Sequence, residues 1–336
     1  MLLQSINLFN TPNNTGIKKN FTTISSSYPN LAPLKQDTVS FSGGIPKSVD
    51  LMDLPPDKII KICKNALKEH FVIGEGQEAV AIKIQDYPYY CIRHLKKGNH
   101  KNKQLGLDMK LDKYDKVNHV VAHLSPDTQL MRYIPGIPLK IMRHSDTASG
   151  IKVKQALQEL VANNFPEDSF KNVIKQVEDA KEKGIDFDRF GENLLVDPIS
   201  QNLTCIDFSP NFTMEEYNPI SFIYHAIDAD KTEHAPKILG KLCSAYAQRL
   251  LEVPAKKLNL DKLDTNFHAR GFDGDPFNYF PDKALLKETE SKLKELIAEK
   301  QNPSLHENGF EYMVDLFKEF VEEKLINYTP QRQEWF

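Results

Sequence analysis

Three oxygen-bearing side chains, Asp188, Asn193 and Asp207, follow one another at intervals of five and fourteen residues within GIDFDRFGENLLVDPISQNLTCIDFSP, Gly184–Pro210. Carboxylate and amide oxygens in such a set suit a metal ion bound to phosphate. Between them, Leu194 to Val196 and Leu203 to Ile206 are short apolar runs split by Asp197-Pro198 and a polar turn, the pattern of a β-hairpin. A hairpin returns the chain to where it began. Asp207 is therefore expected near Asn193 at one end of the hairpin, with Asp188 on the loop that enters it.

The spacing Asp188-x-x-x-x-Asn193, followed by Asp207-Phe208-Ser209, resembles the catalytic loop and the DFG motif of the protein-kinase superfamily. The resemblance implies that Asp188 accepts the hydroxyl proton of the phosphate acceptor, and that Asn193 and Asp207 hold Mg²⁺ on ATP. Upstream, Gly74-Glu75-Gly76-Gln77-Glu78-Ala79 resembles the kinase glycine loop with alanine for its third glycine, so Gly74 and Gly76 would let backbone N–H groups approach the phosphates. Arg93, in Tyr90-Cys91-Ile92-Arg93, stands where the family has lysine; it keeps the charge on a longer, planar fork. Met131-Arg132-Tyr133-Ile134-Pro135-Gly136 resembles the hinge between kinase lobes. By that likeness Met131 is the gatekeeper, and the backbone of Arg132 to Ile134, including Tyr133, meets adenine.

Several positions depart from the family. Asp186 replaces the histidine of HRD, Phe190 the lysine two after the catalytic aspartate, and Ser209 the glycine of DFG; no APE-like sequence follows. The acid that normally pairs with the nucleotide-binding cation is also missing, because no glutamate occurs between Glu78 and Glu159. Asp108, Asp112 and Asp115 lie at i, i+4 and i+7, which predicts one face of a helix over residues 105 to 116. From that face Asp112, or secondarily Asp108, is expected to pair with Arg93.

The elements that must carry these residues follow in order. Leu54-Pro55-Pro56 opens a helix bearing Ile59, Ile60, Cys63, Ala66 and Leu67. Phe71 to Ile73, Ala79 to Ile84 and Tyr89 to Leu95 are β-prone runs, and Val117 to Leu124 and Thr128 to Tyr133 are read as a further pair of strands joined by Ser125-Pro126-Asp127. Beyond Gly136 the periodicity turns helical, with Val153, Leu157, Leu160 and Val161 in one run. Phe170, Val173, Ile174, Val177 and Ala180 form a second, opened by Pro166 and stopped at Gly184. Later helices are predicted over Phe222 to Ala229, Ile238 to Leu251, Leu285 to Ile297 and Phe310 to Ile326. The stripe Phe310, Met313, Val314, Phe317, Phe320 and Val321 is read as core packing. Asp273-Gly274-Asp275 is read as a turn.

With 336 residues, 40% of them apolar, and a net charge of -3, the chain has material for a large core and no strong basic field for nucleic acid. Cys63, Cys91, Cys205 and Cys243 sit singly in apolar patterns, as reduced core thiols do. Residues 1 to 48 hold 18 Ser, Thr or Asn and a single acid, Asp37, and are expected to be a disordered leader. Their start lacks the pattern of a cleaved secretory signal. A Ser/Asn-rich, acid-poor leader resembles the N-termini of bacterial effectors, which implies a cytoplasmic protein or one delivered into a host cell. The expected fold is α+β and two-lobed, kinase-like, with a β-rich N-lobe over 49–134 and a mainly helical C-lobe over 135–330. The resemblance runs from Phe71 to Pro210 and implies an ATP- and Mg²⁺-dependent kinase acting on serine or threonine of a protein, with no membrane span. A small-molecule phosphotransferase and a pseudokinase that binds partners without transfer stay open.

Overall fold

The computed structural model describes residues 49–76, 78–97, 104–139, 148–187, 193–209, 219–229, 232–254, 277, 279–301 and 307–329. The leader, Asp188 and the Asp273-Gly274-Asp275 turn lie outside the described residues. The chain divides into two compact units, one formed by the residues up to Lys110 with Val121–Tyr133, the other by Leu111–Val120 with the chain from Ile134 onward. The architecture is α+β: a five-stranded antiparallel sheet and a mainly helical remainder.

In the first unit a short 3-10 turn, Leu51–Asp53, leads into helix α1, Pro56–Glu69. Proline suits the first turn, where N–H groups lack helical partners, and His70 ends the helix in the left-handed region at φ 54. Strands β1 (Val72–Glu75), β2 (Ala79–Lys83) and β3 (Tyr90–Leu95) follow, and β4 (Val120–Ser125) and β5 (Thr128–Arg132) complete a sheet of order β1-β2-β3-β5-β4. Alternation along a strand decides which face each residue takes. Ile82, Ile92 and Leu130 stand opposite one another and join Ile59, Cys63 and Ala66 of α1 in one core. Ala81, Arg93 and Gln129 form the next row and therefore occupy the other face.

The acidic helix face expected over residues 105 to 116 does not form. Asp108 is in extended backbone, exchanging N–H···O bonds of 2.9 and 2.8 Å with His123, and Gly106 donates to the Leu124 carbonyl. Only α2, Lys113–Val117, is helical. The reason is local: Asp112 is the N-cap, its carboxylate accepting from the Asp115 N–H at 2.9 Å, while the Asp115 carboxylate accepts from the Asp112 N–H at 3.0 Å. The spacing Asp112 to Asp115 thus starts a helix instead of lining one. For the same reason the strand expected from Val117 begins only at Val120.

The second unit comprises α2, β6 (Ile137–Pro138), α3 (Ala148–Asn164), α4 (Glu167–Glu182), β7 (Asp186–Phe187), β8 (Leu194–Asp197), β9 (Asn202–Cys205) and β10 (Phe208–Ser209). Helices α5 (Pro219–Ala226), α6 (Ala235–Glu252), α7 (Lys283–Gln301) and α8 (Glu307–Val321) follow, the last running into a π-helical turn, Glu322–Ile326. Its small sheets have the orders β6-β8-β9 and β10-β7. The apolar stripe of α4 is wholly buried with the hairpin residues Leu194, Val196, Leu203 and Cys205 and with α6. Gly184, at φ 64, ends this helix, and the Ile185 N–H returns to the Ala180 carbonyl at 2.9 Å. Arg249 of α6 reaches Glu178 of α4 at 2.9 Å, although burial still raises the Glu178 carboxyl above its usual range. Phe310, Val314, Phe317 and Val321 are buried as core, with Met313 and Phe320 packed beside them.

All four cysteines are buried and free, and burial pushes the Cys63 and Cys91 thiols up to about 12, so both stay protonated at neutral pH. No helix among the described residues is long and apolar enough to cross a membrane.

Gly136 has φ 149, and a Cβ there would lie 2.8 Å from the Leu195 Cβ. Gly136→Ala should therefore cost about 2 to 4 kcal/mol through combined backbone strain and overpacking. Denaturant unfolding that gives the parent midpoint would show that β6 can shift away from β8 without cost.

Candidate functional site

The β8–β9 hairpin forms as the apolar runs require, with Leu194 opposite Cys205 and Asp197 opposite Asn202. The Asp197 carboxylate accepts from the Ile199 N–H at 2.9 Å, which stabilises the turn, and Gln201 completes it at φ 56. At the open end the Ile206 N–H donates to the Asn193 carbonyl at 2.8 Å. This bond brings Asn193 and Asp207 together, one residue apart across the pair. Asn193 is 7% exposed, whereas Asp207 faces solvent.

Past Asp207 the chain pairs again. Phe208 lies opposite Phe187 and Ser209 opposite Asp186, so β7, which stops one residue before Asp188, is bound to β10, which starts one residue after Asp207. Asp207 itself has φ 62. Aspartate tolerates this region better than most residues, yet the left-handed conformation still costs about 1 kcal/mol.

The flanking peptide groups hold it there. Before Asp207 the Ile206 N–H is tied to Asn193; after it, the Phe208 N–H donates to Asn118 Oδ1 at 2.7 Å, and Asn118 Nδ2 donates to the Phe208 carbonyl at 2.9 Å. Two such bonds contribute roughly 1 to 3 kcal/mol net, enough to offset the backbone cost. Asn118 closes α2, its own N–H bonded to the Tyr114 carbonyl at 2.9 Å. Lys113 Nζ donates to the Lys183 carbonyl at 2.7 Å, and Tyr114 and Val117 pack on the core of this unit. The sequence carried no sign of Asn118: its partner lies 90 residues further on.

The remaining candidates lie in the sheet unit. Gly74 stands opposite Ala81, which stands opposite Arg93, so the three share one row of one face. A Cβ at Gly74 would meet the Ala81 Cβ at an ordinary 3.7 Å, and one at Gly76 the Ala79 carbonyl oxygen at 3.8 Å. Neither glycine has a left-handed φ, so neither packing nor backbone conformation demands glycine there. Gly76 closes the β1–β2 hairpin through its N–H to the Ala79 carbonyl at 2.9 Å. Arg93 Nη1 donates to Gln129 Oε1 at 3.4 Å, its cross-strand partner on β5. Met131 is opposite Cys91 on the same face, and the Tyr133 N–H donates to the Tyr89 carbonyl at 2.9 Å. The Asp112 carboxylate, expected to pair with Arg93, is engaged by the α2 cap and belongs to the other unit. Asp108, the second choice, caps the Lys110 N–H at 2.9 Å.

Among the described residues no group of three or more His, Cys, Asp or Glu side chains is placed to hold a metal. No family model matches the sequence, and no curated protein is significantly similar to it.

His119 follows Asn118 at φ 60, and burial holds its imidazole below the usual 6.5. The folded state therefore favours the neutral ring. Its contribution is complete above pH 6.5 and is lost as pH falls through the lowered value. His119→Asn, which tolerates the same backbone, should make the melting temperature fall less between roughly pH 7 and 5 than it does in the parent. Identical slopes would mean that the ring charges in place without penalty.

Proposed function

We propose that the chain is an ATP- and Mg²⁺-dependent phosphotransferase of two-lobed, protein-kinase-like design, acting on serine or threonine hydroxyls of proteins. The observation that carries this reading is the double backbone pairing around Asp207. Asn193 is joined to Ile206 on one side, and β7 to β10 on the other, so the strand ending at Phe187 and the segments bearing Asn193 and Asp207 meet at one end of one hairpin.

The donor set fits the metal. Asn193 and Asp207 supply an amide and a carboxylate oxygen, hard ligands of the kind Mg²⁺ takes together with phosphate oxygens. Bound there, Mg²⁺ supplies neutralisation of charge on the nucleotide phosphates. Asp188 accepts the proton of the attacking hydroxyl. Arg93, which the resemblance assigns to the nucleotide phosphates, lies on the sheet with its guanidinium 3.4 Å from Gln129 Oε1. The row Gly74, Ala81 and Arg93 supports the same assignment, since glycine and alanine leave the sheet face beside the cation low.

One observation favours a second reading, a pseudokinase that binds partners and transfers nothing. The carboxylate expected to steady Arg93 is used to cap α2, and Asp186, Phe190 and Ser209 stand where the family has supporting residues.

Purified protein incubated with Mg²⁺ and γ-labelled ATP, alone and with a cell lysate, separates the two. Transfer of label to protein supports the kinase, whereas no transfer in either incubation supports the pseudokinase. Asp188→Asn should abolish labelling and leave ATP binding nearly intact, while Asp207→Asn should weaken Mg²⁺-dependent ATP binding itself. Equal loss of binding in both variants would remove this division of roles.

A further inference from the structure

The proposal rests on the phosphotransferase reading and concerns what holds its metal ligand in place. We propose that Asn118 is a positioning residue, which fixes the backbone at Asp207 so that its carboxylate is presented to the nucleotide-bound metal. Through it, α2 sets how much Mg²⁺ the site requires.

Asn118 does not reach for the ligand's side chain. It binds both main-chain groups of the next residue, Phe208, with bonds of 2.7 and 2.9 Å. That pins the peptides on both sides of Phe208, while the Ile206 N–H bond to Asn193 pins the peptide between Cys205 and Ile206. Ile206 and Asp207 are the residues left between the two anchors, and Asp207 is the one at φ 62. Were the Asn118 bonds removed, the backbone could relax toward φ below zero, and the carboxylate would swing with it.

Nothing else about α2 explains an amide at this position. A helix of five residues has no stability of its own, and this one is held at both ends and along one side. The Asp112–Asp115 cap starts it, Tyr114 and Val117 pack on the core, and Lys113 ties it to the Lys183 carbonyl ahead of β7. So much anchoring makes Asn118 a fixed point, and fixed points can transmit position. The segment that carries it, Leu111–Val120, is grouped with the helical unit although the chain on either side belongs to the sheet.

The test is ATP binding measured by calorimetry across a Mg²⁺ titration, with the melting temperature recorded for each variant. Asn118→Ala should raise the Mg²⁺ concentration needed for half-maximal ATP binding by about tenfold, the scale of two lost hydrogen bonds, and leave metal-free ATP binding unchanged. Asn118→Asp keeps the acceptor for the Phe208 N–H and loses the donor, so it should fall between parent and alanine; it also serves if the alanine variant does not fold. Val117→Ala thins the packing of the same helix without touching Phe208. It should lower the melting temperature and shift the Mg²⁺ requirement by much less than Asn118→Ala does, because both bonds to Phe208 remain. A parent-like Mg²⁺ requirement in both Asn118 variants overturns the proposal, as does a shift in Val117→Ala equal to that in Asn118→Ala. If the parent protein binds no ATP at any Mg²⁺ concentration, the phosphotransferase reading itself falls and takes this one with it.

Discussion

Strands of two residues, such as β7 and β10, exchange too few hydrogen bonds to hold themselves together, and the β8–β9 hairpin is barely longer. What holds them is the buried face of α4. Phe170, Val173, Ile174, Val177 and Ala180 form a continuous apolar stripe that shares its core with Leu194, Val196, Leu203 and Cys205. The Gln176 side chain adds a polar tie, accepting from the Cys205 N–H at 3.0 Å. Each apolar side chain fully withdrawn from water contributes roughly 1.5 to 3 kcal/mol, far more than the few strand bonds it supports. The candidate site is thus a rigid edge of a helix-backed hairpin, and its geometry is only as firm as that packing.

The sheet unit follows a different logic, in which the two faces divide the work. One face is spent on α1, with Ile59, Cys63 and Ala66 against Ile82, Ile92 and Leu130. Strict alternation then delivers Gly74, Ala81, Arg93 and Gln129 to the other. A cation is affordable there because Arg93 is only partly buried and its guanidinium has an amide oxygen beside it. The far end of the sheet is tied down separately. Arg132 lies over the Tyr90 ring at 4.5 Å and reaches Asp50, which also accepts the Tyr90 hydroxyl, so the residues leading into α1 are fastened to β3 and β5.

The sequence made some of this legible and hid the rest for identifiable reasons. The hairpin and α4 were readable because each buries one face, so the apolar period matches the element, and Asp197-Pro198 and Gly184 mark the ends. Asp108, Asp112 and Asp115 misled because i, i+4 spacing says nothing about whether a helix exists. The capping pair at i, i+3 was in the same letters, but the bridge from Asp108 to His123 depends on a strand that comes later. Asn118 could not be found at all, since a polar residue after a short helix is unremarkable until its partner is known. Asp188 carries the largest share of the proposed chemistry and lies outside the described residues.

The grouping of Leu111–Val120 with the helical unit means that the chain changes unit three times, after Lys110, after Val120 and after Tyr133. This has a consequence for how the protein is made. In a chain that emerges from its N-terminus, α2 appears well before β10, and Tyr114 and Val117 wait uncovered until the helical core arrives. The sheet also closes out of sequence, because β5 inserts between β3 and β4. Both delays raise the cost of early loop closure and favour late, concerted assembly over one unit maturing ahead of the other. They also forbid clean dissection: a fragment ending at Tyr133 keeps α2 without its floor, and one starting at Ile134 loses the amide that grips Phe208.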